Sequence, residues 1–177
     1  MAILTKSNFV APPFLIPNQT ESSWLDAWIA DREAELLKKL LGLDLYNAFI
    51  EALEDSAPLA QKWVDLRDGE EYEYGDVNYE YVGVIKMLRP AIYSLWLEVN
   101  YKKPTNAGMI VNRGQENTDV VNPTEEITDA WNKFVGYVGC HMANSFYGFM
   151  VVNLEDYEVG DIIWHFQEQY TKNRFGL

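Results

Sequence analysis

The chain has 177 residues, 48% of them hydrophobic and 23% charged, a length and balance that suit one domain with its own core and exclude wholesale disorder. Its 27 acidic residues against 14 basic ones give a formal charge of -13, which argues against sequence-specific nucleic-acid binding by the isolated chain. A single cysteine, Cys140, permits no internal disulfide, no apolar run is long enough to span a bilayer, and the opening MAILTKSNFVAPPFLIPNQT lacks a signal-peptide pattern, so no membrane partner is expected.

Residues Ile3 to Ile16 are apolar but interrupted by Pro12 and Pro13, which forbid a continuous helix and favour an extended path. Residues 1–19 therefore read as an extended N-terminal arm, followed by a single helical domain over residues 20–177. Phe9, Phe14, Leu15 and Ile16 in the arm need a surface to lie on, either the parent domain or a neighbouring subunit. Thr20 or Ser22 can cap a first helix whose stripe is Leu25, Trp28, Ile29, Leu36, Leu40 and Leu41. Glu21 and Asp26 near its start and Lys38 and Lys39 near its end follow the order that the helix dipole favours. Gly42 ends it, and Asp44 caps a second helix to Asp55 that buries Leu45, Phe49 and Leu53, the two forming an antiparallel pair. Ser56 and Pro58 open a third, with Leu59, Trp63 and Leu66 inward and Gly69 as its stop. From Glu70 to Glu80 acids alternate with tyrosines, a pattern that fits a short hairpin turning near Gly75 and Asp76 or an irregular loop.

Tyr81 to Tyr101 is the segment around which the other helices should pack. Apolar residues recur at Ile85, Leu88, Ile92, Leu95, Trp96 and Val99, opposite a face of Lys86, Arg89, Ser94 and Glu98. Pro90 inside it removes one backbone donor, which predicts a bend between Lys86 and Pro90 or two helices meeting there. The stretch from Lys102 to Asn122 has no helical period and reads as a long loop, with Met109, Ile110 and Val111 as a strand that pairs only in an assembly. Asn122 and Pro123 start a second long core helix, supported by Glu125 and Glu126 in its first turn and carried by an apolar period from Ile127 to Val152. Ile162, Ile163, Trp164 and Phe166 form an apolar clump in the tail. The fold class is all-α: a bundle of about five helices with an extended N-terminal arm and a long loop or short β-hairpin excursions.

The search for reactive groups points away from an enzyme. Cys140 and His141 are adjacent, and neighbours on a helix diverge by about 100°, so they do not form a thiolate–imidazole pair. Asp161 and His165 share a helix face, but no second pair completes a metal site, and there is no HExxH, phosphate loop or nucleophile elbow. Asp65, Asp68, Glu70 and Glu71 read as a solvated acidic face, with no apolar pocket to raise a carboxyl pKa. Catalytic, cofactor-binding and metal-ligating residues are each expected to be none.

Several short blocks taken in order resemble small helical head-tail connector or head-completion proteins of tailed phages and prophages. They are Leu40-Leu41-Gly42 followed by Leu45-Tyr46, Trp63 with Leu66 and Gly69, Tyr72 with Gly75, Gly83 through Leu88 to Tyr93, Ala130-Trp131-Asn132, and the ending Asn173-Arg174-Phe175-Gly176-Leu177. The resemblance spans most of the chain from Leu36 onward. It implies a non-enzymatic structural virion protein: a homo-oligomeric ring at the head-tail junction, with a portal protein and a tail adaptor or stopper protein as partners. It further implies location in the virion, and in the host cytoplasm during assembly. The alternative is a soluble helical peptide-binding or regulatory module with a groove of Trp63, Tyr72, Tyr74 and Tyr79.

Overall fold

Spacing of threes and fours along Leu25, Ile29, Leu36, Leu37 and Leu40 builds one buried stripe on the first helix, and the remaining elements are laid around it and around the central helix. The computed structural model describes residues 2–17, 22–55, 57–105, 108–111, 124–139, 145–154 and 166. Helix α1 (Ser22–Glu54) is two helical segments joined at Gly42, whose φ of 74° and ψ of 168° leave the helical region. The chain doubles back there. The Lys38 ammonium lies 5.1 Å from the ring centroid of Tyr46, and the charge of Glu33 reaches the Tyr46 hydroxyl. A straight helix would hold Glu33 and Tyr46 roughly 20 Å apart along its axis, so the fold-back expected at Gly42 is present.

Helix α2 (Gln61–Asp68) starts later than its sequence signals indicate, because Ala60 is extended at φ -60° and ψ 143°. Trp63 and Leu66 are its buried face, with Trp63 packed 5.5 Å from Phe49 of α1. Strands β1 (Glu70–Tyr74) and β2 (Val77–Tyr81) then form an antiparallel hairpin, which resolves the choice between hairpin and loop. Helix α3 (Gly83–Tyr101) continues as one helix through Pro90, so of the two alternatives expected there, a bend or two helices meeting, the second does not occur. Its buried face is Val84, Met87, Leu88, Ala91, Ile92 and Trp96, rotated from the predicted stripe: Val99 is exposed. Ser94, expected on the polar side, is only 3% exposed, and its hydroxyl donates to the Ile127 carbonyl at 3.1 Å. That bond and the small side chain let the next helix approach closely.

Strands β3 (Lys102–Thr105) and β4 (Gly108–Val111) pair antiparallel with each other, so Met109 to Val111 find a partner within the chain and not only in an assembly. Helix α4 (Thr124–Val138) packs extensively on α3, and Tyr93 donates to Glu126 at 2.7 Å across that contact. The predicted single helix to Val152 is two. Gly139 takes φ 42° after α4, and Ser145 caps helix α5 (Phe146–Asn153) by accepting from the Gly148 amide at 3.4 Å while donating to the Gly139 carbonyl at 2.9 Å. The proposed caps at Thr20 and Asn122, the bulk of the 102–122 loop, and the tail apart from Leu154 and Phe166 lie outside the described residues. Phe166 is buried edge-on against Phe134, with ring centroids 5.0 Å apart.

The arm lies on its own domain. Leu4, Phe9, Phe14 and Ile16 are buried, and a 3-10 turn at Lys6–Phe9 departs from a wholly extended path. The architecture is a mostly helical bundle with two small hairpins, not strictly all-α. No helix among the described residues is long and apolar enough to cross a membrane.

Candidate interaction surface

Two places concentrate chemistry: the seat of the arm on α1, and the β1–β2 hairpin. At the first, Glu33 occupies the buried stripe of α1, four residues after Ile29 and four before Leu37. It is 2% exposed, and its two carboxylate oxygens accept from the amides of Ile3 at 2.8 Å and Leu4 at 2.7 Å. Burial pushes its carboxyl above the ordinary carboxylate range, against the opposing pull of those two amides. About two turns earlier on α1, Asp26 accepts from the Lys6 amide at 2.7 Å. Phe14 then sits under the cations of Arg89 and Lys133, 5.8 and 5.4 Å from its ring centroid, beside Tyr93. These contacts close the arm rather than open a site. A cleft of about 400 Å³ remains beside Phe14, Tyr93, Glu125, Asp129 and Lys133.

Among the described residues, the β1–β2 hairpin presents two chemically distinct faces. Period-two alternation puts Tyr72, Tyr74, Val77, Tyr79 and Tyr81 on one face and Glu71, Glu73, Asn78 and Glu80 on the other. Gly75 and Asp76 turn at φ 61° and 62°, both left-handed, as a two-residue loop matched to strand twist requires. At its base Gly69 and Gly83, with φ 97° and 81°, cross so closely that a Cβ on either would strike the other segment's backbone. The inner half of the aromatic face is covered by α5: Tyr81 stacks on Phe149 at 4.3 Å, and Tyr72 meets the same ring edge-on at 5.8 Å. Tyr81 is fully buried and donates to the Leu66 carbonyl at 3.2 Å, while burial raises the Tyr72 phenol to about 12. The outer half overhangs, leaving Tyr74 54% and Val77 49% exposed.

The opposite face carries three carboxylates and Asn78. Glu71 stands across the ladder from Glu80, and Glu73 follows on the same strand. No cation among the described residues pairs with Glu71, Glu73 or Glu80. At the base, Glu70 is held above its ordinary value by partial desolvation and then by the neighbouring carboxylate of Asp65. The expectation that these acids have no cause for a raised pKa is thus corrected for Glu70. Asp68, bonded to Arg67 at 2.7 Å, is lowered instead.

Of the four residues of the predicted groove, Tyr72, Tyr74 and Tyr79 share one face of the hairpin, with the Tyr72 and Tyr79 rings 6.0 Å apart, while Trp63 belongs to α2. Trp63 is committed to Phe49 and Tyr72 to Phe149, which leaves Tyr74 and part of Tyr79 at the surface. Cys140, His141, Asp161 and His165 lie outside the described residues. Among the described residues no three histidine, cysteine or carboxylate side chains gather as metal ligands. Glu33 is the residue that sequence reasoning misses, although its place on the stripe's own period is a readable signal. Comparison of the chain with family models, with characterised proteins and with solved structures returns no match.

Proposed function

We propose that the chain is a structural, non-enzymatic adaptor of the phage head-tail junction, assembling as a homo-oligomeric ring between a portal protein and a tail adaptor or stopper protein. The observation that carries this reading is the order of the blocks resembling connector proteins, from Leu40-Leu41-Gly42 to the final Phe175-Gly176-Leu177. The fold lends support at the finer level. Several of those blocks are corners and core anchors of the helical body: Gly42 at the fold-back, Trp63 and Leu66 in the core, Gly69 and Gly83 at the hairpin base, and Gly75 in its turn. Since the arm is occupied on its own domain, bridging contacts in this reading fall to the hairpins and other exposed surfaces. The acidic charge suits a part that neighbours DNA without adhering to it.

The test is mass measurement in solution, alone and with a phage portal protein, followed by negative-stain imaging of the mixture. A closed ring or a stoichiometric complex with the portal is expected. A monomer at every concentration that the portal does not retain overturns the proposal.

A further inference from the structure

We infer that the outer edge of β1 is a docking site for an extended, basic segment of another protein, added as a third strand to the hairpin. The inference stands apart from the connector reading and holds for any assembly that presents such a strand.

The geometry of the ladder carries the argument. Tyr74 and Val77 flank the two-residue turn, so they exchange hydrogen bonds with each other, and the alternation of an antiparallel pair makes Tyr72–Tyr79 and Glu70–Tyr81 the other bonded pairs. Glu71 and Glu73 occupy the non-bonded positions. Their backbone N–H and C=O groups point away from β2, and no other strand among the described residues meets them. Non-bonded pairs also bring side chains nearest, so Glu71 and Glu80 face each other where like charges repel most.

An incoming strand with basic and aliphatic residues in alternation satisfies all three features. Its backbone takes the free edge, its cations lie among Glu71, Glu73 and Glu80, and its aliphatic side chains cover the overhanging Tyr74. Edge acids also serve to deter aberrant pairing, but that role asks for no uncovered aromatic on the reverse face. A second copy of this chain is the wrong occupant: it carries the same charge of -13 and brings the same acids to the edge. Charge selects β1 over β2, whose outward positions are Asn78 and Glu80, one carboxylate against two.

The experiment uses the full chain and two synthetic peptides of identical composition, one alternating lysine with valine, the other with lysines and valines in pairs. Affinity is read by titration calorimetry and edge pairing by amide hydrogen exchange. The alternating peptide should bind at least about tenfold more tightly. It should slow exchange at Glu71 and Glu73, and weaken by a similar factor when E71K and E73K are introduced together. All three positions of charge are exposed, so the fold should survive, which circular dichroism verifies. N78K and E80K together should weaken binding less. Equal affinity for the two peptides, indifference to E71K and E73K, or protection confined to Asn78 and Glu80 would each overturn the inference. So would the same protection arising without peptide as protein concentration rises, which would assign the edge to a second copy.

Discussion

Glu33 shows how one side chain can hold a whole segment. Its carboxylate has no basic partner among its bonds; it is matched to two adjacent amides, which leaves both oxygens satisfied inside the core. Glu33→Ala strands the Ile3 and Leu4 amides and opens a void, so it should lower stability by about 2–4 kcal/mol and speed amide exchange at those two residues. The pH dependence follows from the direction of the shift. Because the folded value lies above the ordinary one, the native state takes up a proton before the unfolded chain does. The stabilisation tied to that proton is present at low pH and is lost as pH rises from the ordinary value through the folded one. Urea denaturation across that window should find the gap between wild type and Glu33→Ala narrowing as pH rises. The stripe period exposes Glu33 to a reader of the sequence, whereas its partners, two backbone amides, leave no mark there.

Among the elements, the hairpin depends on its two basal glycines more than on its turn. Both have left-handed φ, and an added methyl at either would meet backbone that has no side chain to move aside. Gly69→Ala or Gly83→Ala should each destabilise by about 3–5 kcal/mol, whereas Gly75→Asn, at a position open on all sides, should stay within about 1 kcal/mol. Thermal denaturation of the three variants ranks them directly. Sequence alone fits hairpin or loop here, because alternating Tyr and Glu satisfies period two in either case and Gly-Asp is not the commonest order for such a turn. The α4–α5 break is hidden for a different reason. Apolar spacing runs on from Ile127 through Phe149, and period says nothing of a left-handed Gly139 or of the cap at Ser145. Likewise the face of α3 is rotated because Ser94 is drawn inward by a carbonyl on α4, a tertiary bond invisible to any one-segment reading.

For the molecule as a whole, the mostly helical character and the arm's apolar need for a surface are legible, since both follow from hydrophobic period and proline placement. Which surface the arm takes is not, since Glu33 and Phe14 are met by groups far along the chain. Charge sets the terms of assembly. Copies that each carry a formal -13 repel over distances that salt shortens, from about 30 Å of screening length at 0.01 M to about 8 Å at 0.15 M. In the connector reading proposed above, ring formation by this chain alone should therefore strengthen as sodium chloride rises over that range, while retention of a basic strand at β1 should weaken. Sedimentation velocity at matched protein concentrations separates the two responses; an association that falls with salt would mean that subunits meet through opposite charges instead.

The grip on Phe14 has a bearing on biogenesis. The ring is held by Arg89 and Tyr93 on α3 and by Lys133 on α4, all of them translated long after it. An apolar stretch made before its berth thus stays uncovered until the bundle behind it has formed, a handle that chaperones can hold and proteases can cut.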